Sequence, residues 1–512
     1  MNTLKDRQQD IAAMAGKVGK PVYDPANYAK DPTERQLAQQ KSPKLASLEE
    51  AITRSGLKNG MTISFHHHFR GGDKVVNMVV DKLAEMGFKD LHLAASSLSD
   101  VHAPLIDHIR NGVITRISTS GLRGKLANEI SHGLMKEPVI FRSHGGRGSA
   151  IATGDLHIDV AFLGAPSSDP LGNACGYSRS ENAKSICGSL GYALPDARYA
   201  DKVVIITDDL VAYPNTPNAI SERDVDFVVV ADSVGDSSKI SSGAIRDTKN
   251  PRDILLAQQA AKVIINSGYF KNGFSIQTGS GGASLAAVKF LRESMIENNI
   301  VADFALGGIT AHMVKLHEEG LIKRLIDVQS FDKVAAESLK NNPMHKEVSA
   351  NEYASADEPG SAVHYLDIVI LSALEVDVNF NVNVLVGSDG IIRGAIGGHP
   401  DTAADSALSI IVCPMLRGRI PCVVEEVTTL ITPGSSVDVI VTEYGIAVNP
   451  RRPELAERLR AAGLNIVDIH DLQKRAKSVI GDADPLPFGN KVVGVIMNRD
   501  GSVMDVIRNI EE

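Results

Sequence analysis

The sequence predicts an α/β protein made of two tandem, similar domains with mostly parallel sheets, behind an extended N-terminal arm. Three observations predict it. Short runs of Val, Ile and Leu alternate with helix-length stretches through most of the 512 residues, the pattern of parallel sheets covered by helices. Several of these runs lead into glycine-rich loops and then into helices. The chain also repeats itself. Asp159-Val160-Ala161-Phe162-Leu163-Gly164-Ala165, followed by Asp169 and Asn173, matches Asp367-Ile368-Val369-Ile370-Leu371-Ser372-Ala373, followed by Asp377 and Asn381, at an offset of 208.

Three further matches keep the same order, at offsets of 208 to 213: residues 112–117 with 320–325, 60–64 with 273–276, and 225–229 with 437–441. The organisation expected is an arm over 1–45, a first domain over 46–235, a linker over 236–251 rich in Ser, Gly and Asp, and a second domain over 252–512.

Bulk properties exclude several classes of function. The formal charge is −9 and no polybasic run is present, which argues against nucleic acid and against an anionic membrane surface. The apolar runs have strand length, far short of the ~20 residues that span a bilayer. Residues 1–7 carry no apolar core, so they do not read as a signal peptide. Cys175, Cys187, Cys413 and Cys422 show no CxxC spacing and read as buried thiols in a reducing compartment. The expectation is a cytoplasmic protein with no metal held by cysteine.

In order along the chain, residues 1–45 are polar and punctuated by Pro21, Pro25, Pro32 and Pro43; they read as an arm over another surface or subunit, or as a disordered tail. A helix over 47–55 leads to a strand over 61–65, which ends in His66-His67-His68-Phe69-Arg70-Gly71-Gly72. Neighbours on a strand point to opposite faces, so three adjacent histidines do not converge on one ion. They read as donors lining a loop, with Arg70 available to a carboxylate. The stretch 142–149, Arg-Ser-His-Gly-Gly-Arg-Gly-Ser, reads as an anion cradle holding Arg142 and Arg147, or as a solvated turn. Strands over 202–207 and 227–231 close the first half.

The second half repeats the plan. A strand over 274–277 enters the loop 278–284, and a strand over 302–306 enters Gly307-Gly308-Ile309-Thr310. Such loops put N–H groups at a helix start, where an anion is favoured. Neither fits a P-loop or the GxGxxG spacing, which leaves nucleotide hydrolysis and NAD binding unsupported. From Val376 to Val384 apolar and polar residues alternate strictly, which reads as a half-buried strand. Gly397-Gly398-His399 follows, as a ligand loop or a tight turn. A helix over 453–462 and two terminal strands joined by Arg499-Asp500-Gly501 end the chain.

Taken together, SALEVDVNFNVN (372–383), IGGHPD (396–401) and VTEYGIA (441–447) resemble the class I CoA-transferase superfamily, whose members carry two similar α/β domains. Within it, HHHFRGGDKVVNMV (66–79), FRSHGGRGSAI (141–151) and residues 372–406 are similar to the alpha subunits of citrate lyase, a likeness that covers the chain nearly end to end. The resemblance implies a CoA-transferase-like fold and a transferase that moves the thioester of an acyl-carrier protein from acetate to citrate. It implies no cofactor bound to this chain, a phosphopantetheine-type (dephospho-CoA-derived) arm as substrate, and beta (lyase) and gamma (acyl-carrier) subunits as partners in an oligomer.

One departure bears on mechanism. Members of the wider superfamily carry a glutamate after the second strand of the second domain, where this chain has Leu306-Gly307-Gly308-Ile309-Thr310. That implies acyl exchange in a ternary complex, with Glu375 as a fallback nucleophile. The implied oxyanion donors are the N–H groups of Gly397 and Gly398, then of Gly307 and Gly308. Arg70, Arg142 and Arg147 are the implied carboxylate clamps, and His66, His67, His68 and His399 further donors. The rival readings are an acetyl-CoA hydrolase or general carboxylate CoA-transferase, and a non-catalytic α/β sensor.

Overall fold

The computed structural model describes residues 4–24, 44–241, 248–279, 281–481 and 485–511. Residues 1–43 form a unit of their own. In it Leu4–Lys17 is an α-helix, a difference from the extended arm expected. Its Leu, Gln, Ala and Met are good helix formers, and the first proline comes only at Pro21. Most of the expected arm beyond residue 24, and residues 242–247 of the expected linker, lie outside the described residues.

Residues 44–512 form the second unit, built on two large sheets. In the first, β1 (Thr62–Phe65), β2 (Leu91–Ala95), β3 (Ile114–Thr119), β4 (Val139–Phe141), β5 (Val160–Ala165), β6 (Lys202–Thr207) and β7 (Phe227–Val230) lie in the order β4-β3-β2-β1-β5-β6-β7, all parallel. In the second, β8 (Ser275–Thr278), β9 (Ala302–Ile309), β10 (Ile322–Ser330), β11 (His345–Glu347), β12 (Ile368–Ser372), β13 (Leu408–Val412) and β14 (Val439–Thr442) repeat that order as β11-β10-β9-β8-β12-β13-β14, again parallel. An antiparallel β15 (Gly445–Val448) extends the second sheet. Strands inside such sheets are covered on both faces, which is why β5 reads as an unbroken apolar run and both β5 and β13 are buried throughout, the one hydroxyl of β13, Ser409, included.

The duplication extends to individual hydrogen bonds. Asp159 accepts the Thr62 N–H at 2.7 Å, and its counterpart Asp367 accepts that of Ser275 at 2.9 Å. Asp226 takes the N–H of Val203 as Asp438 takes that of Ser409. Each aspartate ties the start of one strand to the approach to its neighbour, so the repeated positions are the ones that fix strand register.

The alternating stretch 376–384 is not one strand. Glu375–Asp377 and Val382–Asn383 are two short antiparallel strands around a tight turn. Asp377 Oδ1 accepts the N–H groups of Asn379 and Asn381, and Phe380 sits at φ 66°. Alternation of Asp and Asn here is turn chemistry in which the side chain replaces a backbone acceptor. Asp169 and Asn173 build the same turn in the first half, with the Asn173 amide donating to Asp169 as the Asn381 amide does to Asp377.

The end of the chain also differs from the expected division. β16 (Phe488–Met497) and β17 (Val503–Ile510) form the expected hairpin, but β16 pairs parallel with β4, so these strands complete the first sheet. Its turn carries Arg499, whose guanidinium holds Asp405 of the second half through two bonds of 2.8 and 2.6 Å.

Candidate active site

In both halves the strand order reverses beside the first strand, and a crevice opens there outside the carboxyl ends of the strands. The two crevices face each other and enclose one cleft of about 860 Å3. The first half supplies His67 and Arg70 after β1, Ser97 and Ser99 after β2, and Ser120 and Arg123 after β3. The second half supplies Gln277 to Gly279 from β8, Leu371 and Ser372 from β12, and the loop 393–399.

Of the three adjacent histidines, only His67 lines the cleft. Its Nδ1 lies 2.6 Å from Ser96 Oγ, and its ring stacks on Tyr192 at 5.1 Å and His144 at 5.7 Å. His66 and His68 are buried behind it, edge to face at 4.2 Å. Burial pushes the His66 imidazole down to about 4 and that of His144 to about 3, and holds His67 and His68 well below the usual histidine range. The floor of the cleft is therefore a neutral aromatic cluster at neutral pH.

Positive charge sits above that floor. The Arg70 guanidinium lies over the Phe331 ring at 4.7 Å, and its Nη1 is buried with no hydrogen-bond partner among the described residues. Burial and the neighbouring Arg123 pull it down to about 10, so it stays a cation. Neither Arg70 nor Arg123 has a carboxylate partner among the described residues. Asp100 is the one carboxylate among the described lining residues, and its Oδ1 accepts the Lys125 N–H at 3.1 Å.

Opposite stands the glycine loop. Gly397 takes φ 59°, a left-handed conformation that costs other residues ~1–2 kcal/mol. A Cβ on Gly398 would lie 2.5 Å from Tyr353 Oη, which itself accepts a hydrogen bond from the Gln277 amide. Among the described residues no protein acceptor takes the N–H of Gly397 or Gly398. Gly398 caps the helix His399–Asp405. The loop is anchored from both sides: Gly397 C=O accepts the His144 N–H at 2.9 Å, and Asp401 accepts Ser143 Oγ–H at 2.7 Å and the Gly145 N–H at 2.9 Å. His399 also lines the cleft, with Nδ1 on Thr432 and Nε2 on the Ser372 carbonyl. Both its nitrogens are thus in use, which makes it a brace for the loop rather than a free donor.

The remaining expected residues lie elsewhere. The stretch 142–149 is not an open cradle, because Ser143 caps a helix that runs His144–Thr153. Arg147 on that helix is buried and paired with Asp196 through two bonds of 2.8 Å, so its charge is already spent inside the protein. Arg142 is outside the lining, with Asp155 and His92 as charged and titratable neighbours. Glu375 is buried in the short hairpin, where its Oε1 accepts the Asn383 amide and the Thr428 N–H, so it does not face the cleft. Gly307 and Gly308 lie within β9, at a bulge, rather than in a loop after it. Only Gly308 reaches the cleft, where a Cβ would fall 2.1 Å from the Phe331 ring.

Sequence reasoning missed Arg123, Tyr192, Gln277, Phe331 and Tyr353. Arg123 had a signal, since it sits between glycines at a strand-to-helix junction as the expected anion loops do. The others come from distant parts of the chain with no local mark. A possible metal group of His157, Asp159 and Asp201 lies outside the cleft, with His157 and Asp201 3.0 Å apart and both exposed.

Comparison with known proteins agrees with this architecture. Residues 42–510 match the family model described as citrate lyase, alpha subunit (CitF). The chain is 60% identical to the citrate lyase alpha chain of Escherichia coli (strain K12) over 467 residues, 91% of each chain. It is 60% identical to that of Klebsiella pneumoniae over 465 residues, again 91% of each. A solved structure described as an alpha subunit of citrate lyase from Streptococcus mutans in complex with citrate superposes with a TM-score of 0.90 at 56% identity, over 93% of this chain and 92% of that one. The malonate decarboxylase alpha subunit of Acinetobacter baumannii shares the fold at 17% identity, with a TM-score of 0.63 over 89% of this chain and 96% of that one.

Proposed function

Because this chain belongs to the citrate lyase alpha subunit family, we propose that its inter-half cleft exchanges acetate for citrate on the thioester of an acyl carrier. The enzyme is a citrate:acetyl-carrier transferase. The observation that carries the site assignment is the pair Arg70 and Arg123, two guanidiniums in the cleft that have no carboxylate partner among the described residues, together with a loop whose Gly397 and Gly398 N–H groups have no protein acceptor among them.

In the reaction, a carboxylate oxygen of citrate attacks the acetyl thioester carbon. The C–S bond breaks, leaving a mixed anhydride and a thiolate. The thiolate attacks the citryl carbonyl, the anhydride C–O bond breaks, and acetate leaves with that oxygen. No net proton is consumed. Arg70 and Arg123 bind citrate carboxylates, and Gly397 and Gly398 donate N–H groups to the tetrahedral oxyanions, each donor worth roughly 2.7–4 kcal/mol. Holding both substrates together supplies up to ~7–11 kcal/mol more. The neutral floor of His67, His144 and Tyr192 excludes water, which would otherwise hydrolyse the anhydride. The absence of a glutamate from the described lining supports attack by the substrate's own carboxylate rather than by an enzyme carboxylate.

The chain holds no cofactor in this reading. Its thioester arm, of phosphopantetheine type, arrives on a gamma carrier subunit, and a beta lyase subunit cleaves the citryl thioester. The complex is oligomeric and cytoplasmic; no described helix is long and apolar enough to cross a membrane. The test is acetate release from an acetyl thioester with and without citrate. Acetate formed only with citrate, together with a citryl thioester, supports the transferase. Release without citrate would favour the alternative, an acetyl-CoA hydrolase.

A further inference from the structure

Tyr353 lines the cleft from the short helix Ala350–Ala354 of the second half. Its ring is buried among the apolar residues that include Tyr192 and Leu371, and its hydroxyl is the one polar group it brings there. Oη accepts the Gln277 amide at 2.8 Å, which uses a lone pair and leaves the phenolic proton to be placed. Among the described residues no acceptor takes that proton. The Gln277 Oε1 is likewise buried and has no partner among them. Buried polar groups are normally satisfied, so a pair with an unused donor and an unused acceptor at a cleft wall is completed by what enters the cleft. Burial pushes the Tyr353 hydroxyl above the usual tyrosine range, and it keeps its proton at neutral pH. The hydroxyl also stands against the glycine loop. A Cβ on Gly398 would lie 2.5 Å from Oη and 3.2 Å from Cε1 and Cζ, so the phenol fills the space that a side chain at 398 would take. Glycine is what lets the two approach so closely.

We propose that the Tyr353 hydroxyl is a catalytic donor of the transferase, giving a hydrogen bond to the tetrahedral oxyanion beside the N–H groups of Gly397 and Gly398. The inference rests on the transferase reading above and adds a side-chain donor to its oxyanion site. Because Oη stands beside Gly398, an oxygen bound by that residue's N–H comes within reach of the phenol. Two tetrahedral species form in each turnover, the first when citrate's carboxylate attacks the acetyl thioester and the second when the thiolate attacks the anhydride. In both, the former carbonyl oxygen carries a full negative charge, and a fixed donor binds it more strongly than it binds the carbonyl. The hydrogen bond forms and is released with no net transfer of the proton. Being neutral, the phenol adds donation without a further positive charge to retain the departing acetate.

The test follows the first turnover of citrate with acetyl-CoA in two variants of the full chain. Tyr353→Phe keeps the ring and removes one oxygen. Its first-turnover rate is expected to fall about 100- to 1,000-fold, with the KM for citrate within about twofold of wild type, because the lost bond belongs to the transition state. Replacement of Tyr353 by 3-fluorotyrosine keeps the hydroxyl while making it the stronger acid and the poorer acceptor of the Gln277 amide. A donor to the oxyanion is then expected to turn over faster than wild type, whereas a residue that only receives the Gln277 bond is not. A Phe variant within about threefold of the wild-type rate, or a fluorotyrosine protein no faster than wild type, overturns the assignment of Tyr353 and leaves the transferase reading standing. So does a raised citrate KM at an unchanged rate, which would make Tyr353 a binding residue. Wild-type protein that makes no citryl thioester overturns the transferase reading, and the assignment of Tyr353 with it.

Discussion

Replacement of Arg70 by Ala removes a guanidinium that lies 4.7 Å over Phe331 with its Nη1 buried and without a hydrogen-bond partner among the described residues. Without substrate that N–H is desolvated with nothing to bond, a cost of about 1–3 kcal/mol. Set against it is the stacking of the cation on the ring, worth about 0.5–2 kcal/mol. The two terms nearly cancel, so Arg70→Ala is expected to leave the Tm of the substrate-free protein within a few degrees of wild type. With citrate present the balance changes, because a hydrogen bond to a charged group is worth ~1.5–3 kcal/mol. At about 1.4 kcal/mol per tenfold, the citrate KM is expected to rise ~10- to 150-fold. Arg70→Lys keeps the charge but loses the planar fork and the stack, and is expected to recover only part of that. The assay is citrate-dependent acetate release at saturating acetyl thioester, beside a thermal melt with and without citrate. A citrate KM within twofold of wild type would refute the clamp. So would a raised KM accompanied by a Tm many degrees lower, which would make Arg70 a structural residue.

Other consequences follow from the same geometry. Gly308→Ala puts a Cβ 2.1 Å from the Phe331 ring, which must move and carry Arg70 with it. Citrate KM is expected to rise in kinetic assays, alongside ~1–3 kcal/mol of overpacking cost in denaturant melts. Arg147→Met breaks a buried ion pair and leaves Asp196 unpaired, an expected loss of ~3–5 kcal/mol in the same melts, with citrate KM unmoved in the protein that remains folded. His66 is depressed by burial from 6.5 to about 4, so the unfolded chain takes up its proton first as the pH falls. Its contribution is complete above about pH 6.5 and is lost by about pH 4, roughly 3 kcal/mol in all. The His66→Gln protein is expected to lack that slope when its stability is measured across the window; identical slopes in both proteins would show that burial does not hold His66 neutral. Glu375→Gln keeps an acceptor for the Asn383 amide and the Thr428 N–H, and kcat is expected to stay within about threefold of wild type. A loss of many orders would reinstate Glu375 as the nucleophile.

Much of the fold was legible because the residues that fix it recur. Asp159 and Asp367, or Asp226 and Asp438, repeat since each accepts the N–H that starts a parallel strand, and such positions tolerate little change in chemistry. Patterns that depend on distant contacts were not legible. The alternation at 376–384 imitates a strand because Asp377, Asn379 and Asn381 fall at every second place, while their side chains close a turn. The hairpin of β16 and β17 was recognisable as a hairpin, but nothing local says which sheet edge it meets.

The site divides the same way. Arg70 and the Gly397-Gly398 loop stood out through the family resemblance, since a glycine pair after a strand serves a tight turn as readily as a ligand. Arg147 stood out on the same grounds, and only Asp196, forty-nine residues away, shows that its charge is neutralised in the interior. Arg123 carries the charge that Arg147 was expected to bring. Tyr192 and Phe331 are ordinary aromatic residues until the two halves close on each other.

In the proposed mechanism citrate's own carboxylate, and no carboxylate of the enzyme, attacks the acetyl thioester. A single turnover with citrate labelled with 18O in its carboxylates, at enzyme in excess over the acetyl thioester, tests it directly. Direct exchange delivers one citrate oxygen to the departing acetate, so the acetate of the first turnover is expected to carry the label and the protein none. Unlabelled acetate in the first turnover, with 18O retained in a protein carboxylate, would contradict the account and establish an enzyme-bound anhydride.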